Sequence, residues 1–166
     1  MKDGDRMLTR IVVVAAAAAM LAGLPEKPAV AQEQEEKPYR IADDGTVDWY
    51  TFSGFRRYHA DCHVCHGPDG MGSSFGPTLV ESLKTLSYEE FLDVVTNGRK
   101  NVTTAQENVM PAFGLNPNVM CFVDDIYAYL KARSDGVLPR GRPEKKADKP
   151  QEAKERDDAC LPIGGG

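Results

Sequence analysis

Four cysteines, three histidines and one tryptophan are spread through 166 residues, and what is scarce sets the first limits. A structural zinc site brings a second ligand pair at a recognisable spacing, but beyond Cys62 and Cys65 the chain has only the widely separated Cys121 and Cys160. No apolar run reaches the roughly 20 residues needed to cross a bilayer. No segment alternates apolar and polar residues for long enough to suggest a strand, and no internal repeat is evident. Basic residues are also in deficit, giving a formal net charge of −5, and no nucleic-acid partner is expected. A single small helical domain without a membrane span is the expectation.

The amino terminus has the composition of an export leader. Lys2, Arg6 and Arg10 precede a small and apolar run from Ile11 to Leu24, which Pro25 and Glu26 end, and Ala29-Val30-Ala31 offers an A-x-A cleavage signal. Residues 1–31 are therefore expected to be removed near Ala31, placing the mature chain in the periplasm. Residues 32–40 form a polar N-terminal segment. Residues 139–166 are rich in Lys, Glu, Asp, Arg and Pro and have little to bury, so a flexible tail carrying Cys160 is expected there. Residues 41–138 remain as one domain of modest core size.

Within that domain Cys62-His63-Val64-Cys65-His66 matches C-x-x-C-H, the attachment signature of a covalent c-type haem. The spacing follows from the chemistry. Each thiol adds across one haem vinyl group, two intervening residues let a single turn reach both vinyls, and the adjacent His66 is placed to bind iron. The plain alternatives are a zinc site using Cys62, Cys65 and one or two of His59, His63 and His66, or a redox-active C-x-x-C pair. Such haem attachment follows export in bacteria, so leader and motif agree. One motif and one domain imply one haem.

The periodicity around the motif is helical. Val47, Thr51, Gly54 and Tyr58 share one face of a first helix ending at the motif. Glycine inside a helix costs roughly 1 kcal/mol against alanine, which suggests a second helix crossing closely at Gly54. Ser87 to Glu90 reads as a capping box flanked by a Leu86 and Phe91 staple, starting a helix that stops at Asn97-Gly98. A final helix is expected from Pro117 or Val119 to Ser134, with Ile126 and Leu130 on one face. The fold class expected is all-α.

In order, these are a helix bearing Gly54 and Tyr58, C-x-x-C-H, Gly76-Pro77-Thr78-Leu79, Met110-Pro111-Ala112-Phe113 and a helix containing Tyr127 to Leu130. That succession resembles a class I cytochrome c, in which a small helical domain wraps one covalent haem. The resemblance places Gly54 at the crossing of first and last helices and gives the Pro77 carbonyl to His66, a partner that would orient the imidazole and raise its basicity. It also makes Met110, on a loop before the final helix, the sixth iron ligand. Met120 is the alternative, at the start of that helix where a packed thioether is equally natural, and Met71 lies too close to His66 to reach across the ring. Arg99 and Lys100 are candidates to pair with haem propionates, the alternative being ordinary loop charges. His59, with no evident partner, reads as solvated.

Iron held by His66 and Met110 has no open position, which argues against an enzyme and for an electron carrier. In an oxidising compartment Cys121 and Cys160 most simply form a disulfide closing 39 residues, with free thiols or intermolecular pairing as alternatives. The four cysteines, with Cys160 in the tail, and the tract Val109 to Gly114 make the chain similar to the methanol-metabolism-related cytochromes of the cytochrome c-553I type. That resemblance implies a quinoprotein (PQQ) methanol dehydrogenase, of the calcium or the lanthanide kind, as donor, and another cytochrome c or a terminal oxidase as acceptor. Residues 41–138 hold seven Lys plus Arg against thirteen Asp plus Glu, a balance of −6 that favours a basic docking surface. A general periplasmic carrier for another dehydrogenase shares every residue cited. A haem-based sensor or binding module would need a displaceable Met110.

Overall fold

The computed structural model describes residues 36–102 and 107–161. The leader and its cleavage signal lie outside the described residues, and among those described no helix is long and apolar enough to cross a membrane. Among the described residues there are seven α-helices: α1 Trp49–Asp61, α2 His63–His66, α3 Leu79–Ser82, α4 Tyr88–Asn97, α5 Pro117–Met120, α6 Val123–Ser134 and α7 Gln151–Cys160. A two-stranded antiparallel hairpin, β1 Arg99–Val102 and β2 Glu107–Met110, stands between α4 and α5.

Asp48 starts α1 by accepting from the Thr51 amide at 3.0 Å and the Thr51 hydroxyl at 2.6 Å. The expected inward face of α1 is buried: Val47 just before the helix, then Thr51, Gly54 and Tyr58. It packs on α6, and the contact explains the glycine. A Cβ at Gly54 would fall 1.8 Å from the Asp125 carbonyl oxygen and 2.9 Å from Tyr129 Cβ, so only hydrogen lets these backbones cross so closely. Helix α4 opens with the full capping box, Ser87 accepting from the Glu90 amide and the Glu90 side chain from the Ser87 amide.

Four expectations need correction. The final helix is two helices, because the chain leaves helical geometry at Phe122, whose φ is −129° and ψ 15°. The all-α class expected holds, since a single two-stranded hairpin is the sheet among the described residues, but Met110 ends β2 rather than riding a loop. The polar N-terminal segment sends Tyr39 into the core, where its hydroxyl donates to Asp135 at 2.7 Å.

The largest difference is the charged tail, whose described part is ordered. Lys146 bridges Val47 in parallel, with Ala147 N donating to Val47 O at 2.8 Å, and α7 buries Ala153. The charges that argued for disorder are used in contacts. The Arg156 guanidinium grips the buried Asp125 carboxylate through both nitrogens at 2.8 and 2.7 Å. Lys146 and Lys149 lie over Trp49, and Arg142 over Phe52. Cys160, the last residue of α7, is joined by a disulfide to Cys121, with Cα atoms 6.0 Å apart.

Candidate functional site: an apolar cavity beside the C-x-x-C-H turn

A cavity of about 270 Å³ lies at the centre of the helical domain, and every segment that surrounds it was singled out by sequence. Cys62, Cys65 and His66 line one part, with Gly76 and Pro77 beside them. Phe91 and Val95 of α4, Met110 at the end of β2 and Phe113 after it, and Val119, Ile126 and Leu130 of α5 and α6 complete an almost wholly apolar wall. Arg99 lines it too, along with Asp61, Val64, Phe75 and Val109. Met110 is the methionine in this lining. Met120 packs against the core elsewhere, and Met71 is exposed, with its sulfur 3.8 Å from Arg133 Nη2.

His66 is buried at 7% exposure, and its Nδ1 lies 3.1 Å from the Pro77 carbonyl oxygen. A carbonyl can only accept, so Nδ1 carries the proton of that bond and Nε2 keeps the lone pair for a metal. The intervening loop is folded to make this approach. Gly72 N donates to His66 O at 2.7 Å, Ser73 Oγ donates to Cys65 O, and Ser73 N donates to Gly76 O at 2.9 Å. A Cβ at Gly76 would stand 2.9 Å from His66 Nδ1 and 3.0 Å from Cys65 O, so a larger residue there would wedge the ring away from Pro77. Tyr58, fully buried on α1, anchors the far end of the turn by donating to Gly67 O at 2.5 Å and accepting from Gly70 N at 3.0 Å.

His59 is not the solvated residue expected. Its Nδ1 contacts Phe55 O at 2.8 Å, and its Nε2 lies 3.6 Å from Asp69 Oδ1. Asp69 is itself buried in a left-handed conformation, with φ of 59°, and is met by Tyr129 Oη at 3.3 Å, Gly141 N at 3.1 Å and Arg140 Nε at 3.4 Å. Despite the opposing effect of burial, these partners hold its carboxyl below the usual range. Sequence had no means of finding this cluster, since two of its members come from the tail.

The donor set discriminates among the chemistries open to C-x-x-C-H. Burial, with Asp61 nearby, pushes the Cys62 thiol up to about 12, so Cys62 is not held as a reactive thiolate. Among the described residues no group of three His, Cys, Asp or Glu side chains is placed to hold a metal. Two thiols at the edge of an apolar cavity, a histidine with Nε2 available and a thioether in the same wall suit a flat apolar porphyrin attached through its vinyl groups.

Comparison with known proteins agrees. Residues 52–130 match the family described as cytochrome C oxidase, cbb3-type, subunit III. The chain is 56% identical over 123 residues to cytochrome c-553I of Paracoccus denitrificans, covering 74% of this chain and 54% of that protein, so it spans about half the length of that relative. It is 44% identical over 100 residues to cytochrome c-555 of Methylococcus capsulatus (strain ATCC 33009 / NCIMB 11132 / Bath), covering 60% of this chain and 75% of that one. The crystal structure of c-type cytochrome XoxG from Methylobacterium extorquens AM1 superposes with a TM-score of 0.63 at 47% identity, covering 77% of this chain and 84% of the other. With the attachment motif, the cavity and these likenesses together, the chain belongs to the class I c-type cytochromes, whose cofactor is covalent haem c.

Proposed function

We propose that this cytochrome works in the periplasm after removal of residues 1–31. There it takes electrons singly from a PQQ-dependent methanol dehydrogenase and passes them to another cytochrome c or an oxidase. In this reading Cys62 and Cys65 hold the haem through thioethers, and His66 Nε2 and the Met110 sulfur bind its iron. When bound, the haem supplies a one-electron couple, Fe(III) to Fe(II). The residues do the remaining work. The Pro77 carbonyl keeps His66 oriented and basic, the apolar wall excludes water and, with methionine ligation, favours the reduced state, and Arg99 offsets propionate charge. With His66 and Met110 both holding the iron, no substrate would reach it, so the protein would act as a carrier and not as an enzyme.

The observation that carries this reading is the convergence of both thiols, His66 and the Met110 thioether on one apolar cavity. The methanol-linked part rests on the resemblance to four-cysteine cytochromes, on the Cys121–Cys160 pairing, and on the relatives in Paracoccus, Methylococcus and Methylobacterium. Val64, Phe75 and Val109 line the cavity and are 70%, 73% and 60% exposed, which marks the side where a partner comes near the haem. A dehydrogenase quinol carries two electrons, so each turnover requires two successive encounters with a one-haem acceptor.

The test mixes purified methanol dehydrogenase, methanol and oxidised cytochrome and follows haem reduction. Rapid reduction that slows as salt rises is expected, because a domain with a balance of −6 is steered to a basic surface. Failure at low salt, with reduction by a different dehydrogenase, would replace the methanol reading with that of a general carrier. Rapid carbon monoxide uptake by the reduced protein at neutral pH would instead favour a sensor.

A further inference from the structure

Met110 lines the cavity far in sequence from Cys62, Cys65 and His66, and the structure shows what surrounds it. After Met110 the chain lies on the last turn of α4. Phe113 N donates to Val95 O at 2.9 Å and Gly114 N to Thr96 O at 3.0 Å, so the segment satisfies helix carbonyls that would otherwise lack partners. At the start of this docking stands Gly98, which ends α4 with φ of 76° and ψ of 178°, a conformation open essentially to glycine alone. A Cβ there would stand 2.6 Å from Met110 O, 2.9 Å from Ala112 N and 3.0 Å from Pro111 C, all backbone atoms with no freedom to swing aside. Arg99, the next residue, is the antiparallel partner of Met110. Gly114 repeats the arrangement more mildly, with its hypothetical Cβ 2.9 Å from Thr96 O.

We infer that Gly98 is a positioning residue for the iron–thioether bond. By letting residues 110–114 close onto the end of α4, it sets how far the Met110 sulfur reaches into the cavity. The inference rests on Met110 being the sixth ligand. A side chain at position 98 pushes the Met110–Ala112 backbone outward and lengthens or breaks that bond, while the Cys62, Cys65 and His66 side of the cavity is untouched.

Holo Gly98→Ala is compared with wild type by the far-red thioether-to-iron charge-transfer band of the oxidised form and by imidazole affinity. Gly45→Ala is the control, since Gly45 shares a positive φ of 82° but has nothing within 4 Å of its hypothetical Cβ. Backbone strain alone therefore acts in both variants, and close contact in only one. Expected for Gly98→Ala is a weakened or lost band and imidazole binding tighter by about tenfold or more, with Gly45→Ala like wild type in both. Gly114→Ala should show the same change in smaller degree, and it decides the matter if Gly98→Ala yields no folded holoprotein. Wild-type spectra and affinities in Gly98→Ala, or in Gly114→Ala where Gly98→Ala does not fold, overturn the inference. So does equal weakening in Gly45→Ala. Met110→Ala separates the two levels: a band that survives it would refute the ligand assignment itself, whereas a band lost in Met110→Ala but intact in the glycine variants would refute only the positioning role.

Discussion

Replacing Arg156 by methionine should destabilise the protein most at neutral pH and least in mild acid. Asp125 lies in the middle of the α1–α6 contact, with a side chain 2% exposed, and its own backbone oxygen is the atom against which Gly54 packs. Arg156 meets both its carboxylate oxygens, and Ser53 adds a hydrogen bond. Even so, burial holds the Asp125 carboxyl above its ordinary value, with Arg156 and Ser53 opposing the rise. Methionine is of similar length but lacks the guanidinium that lies over Phe122 and Tyr50 and leaves the carboxylate unpaired, a loss of about 3 to 5 kcal/mol for a buried partner. Protonation limits that loss. With its cation gone Asp125 rises further, and a carboxyl raised in the folded state favours folding at low pH and loses that advantage as pH rises through its folded value. The deficit against wild type should therefore be near its full size at neutral pH and shrink as pH falls and Asp125 takes a proton. Urea unfolding followed by far-ultraviolet circular dichroism across this range measures it. A deficit under about 1 kcal/mol at neutral pH, or one that stays constant with pH, would show that Asp125 is not a desolvated carboxylate dependent on Arg156.

Cys160→Ser opens a 39-residue loop; the chain-entropy relation gives a loss of about 4 kcal/mol, measured by urea unfolding. Gly54→Ala should cost about 3 kcal/mol, since the added methyl meets backbone and α1 must separate from α6; differential scanning calorimetry would show an unchanged melting temperature if the crossing were loose. Met120→Leu, at a position packed against the core away from the cavity lining, should lower stability by less than about 1.5 kcal/mol. It should leave the thioether-to-iron band unaltered, and loss of the band would make Met120 the ligand.

The parts of this fold that sequence displayed are those whose determinants are local. The α4 start was legible because a capping box needs only Ser87 and Glu90, three residues apart, and its geometry forms whatever surrounds it. Gly54 was legible because glycine inside a strong helical pattern carries a cost that only tertiary contact repays. The haem turn was plain because the attachment chemistry fixes residue types and spacing in five consecutive positions. The hairpin was not, because strands of four residues are too short for a period-two signal. Neither was the division between α5 and α6, where Cys121 and Phe122 interrupt a run of otherwise helical composition.

The tail shows why composition misled most. Low hydrophobicity argues for disorder when charges can be satisfied only by water. Here the charges find partners made by the remainder of the chain: Arg156 has Asp125 31 residues earlier, and Arg140 has Asp69 71 residues earlier. Neither carboxylate announces in sequence that it is buried and in need of a cation. The same contacts tie the tail to the helical framework, because Asp69 closes the turn after the haem motif and Asp125 stands where α6 meets α1. A segment that looks dispensable by composition thus neutralises two buried carboxylates of the scaffold that holds the haem site, and the disulfide keeps Arg156 at the end of a short tether. Truncation after Leu138 would consequently expose both carboxylates' need for partners at once, and its effect on stability should exceed that of Cys160→Ser, which leaves the arginines present.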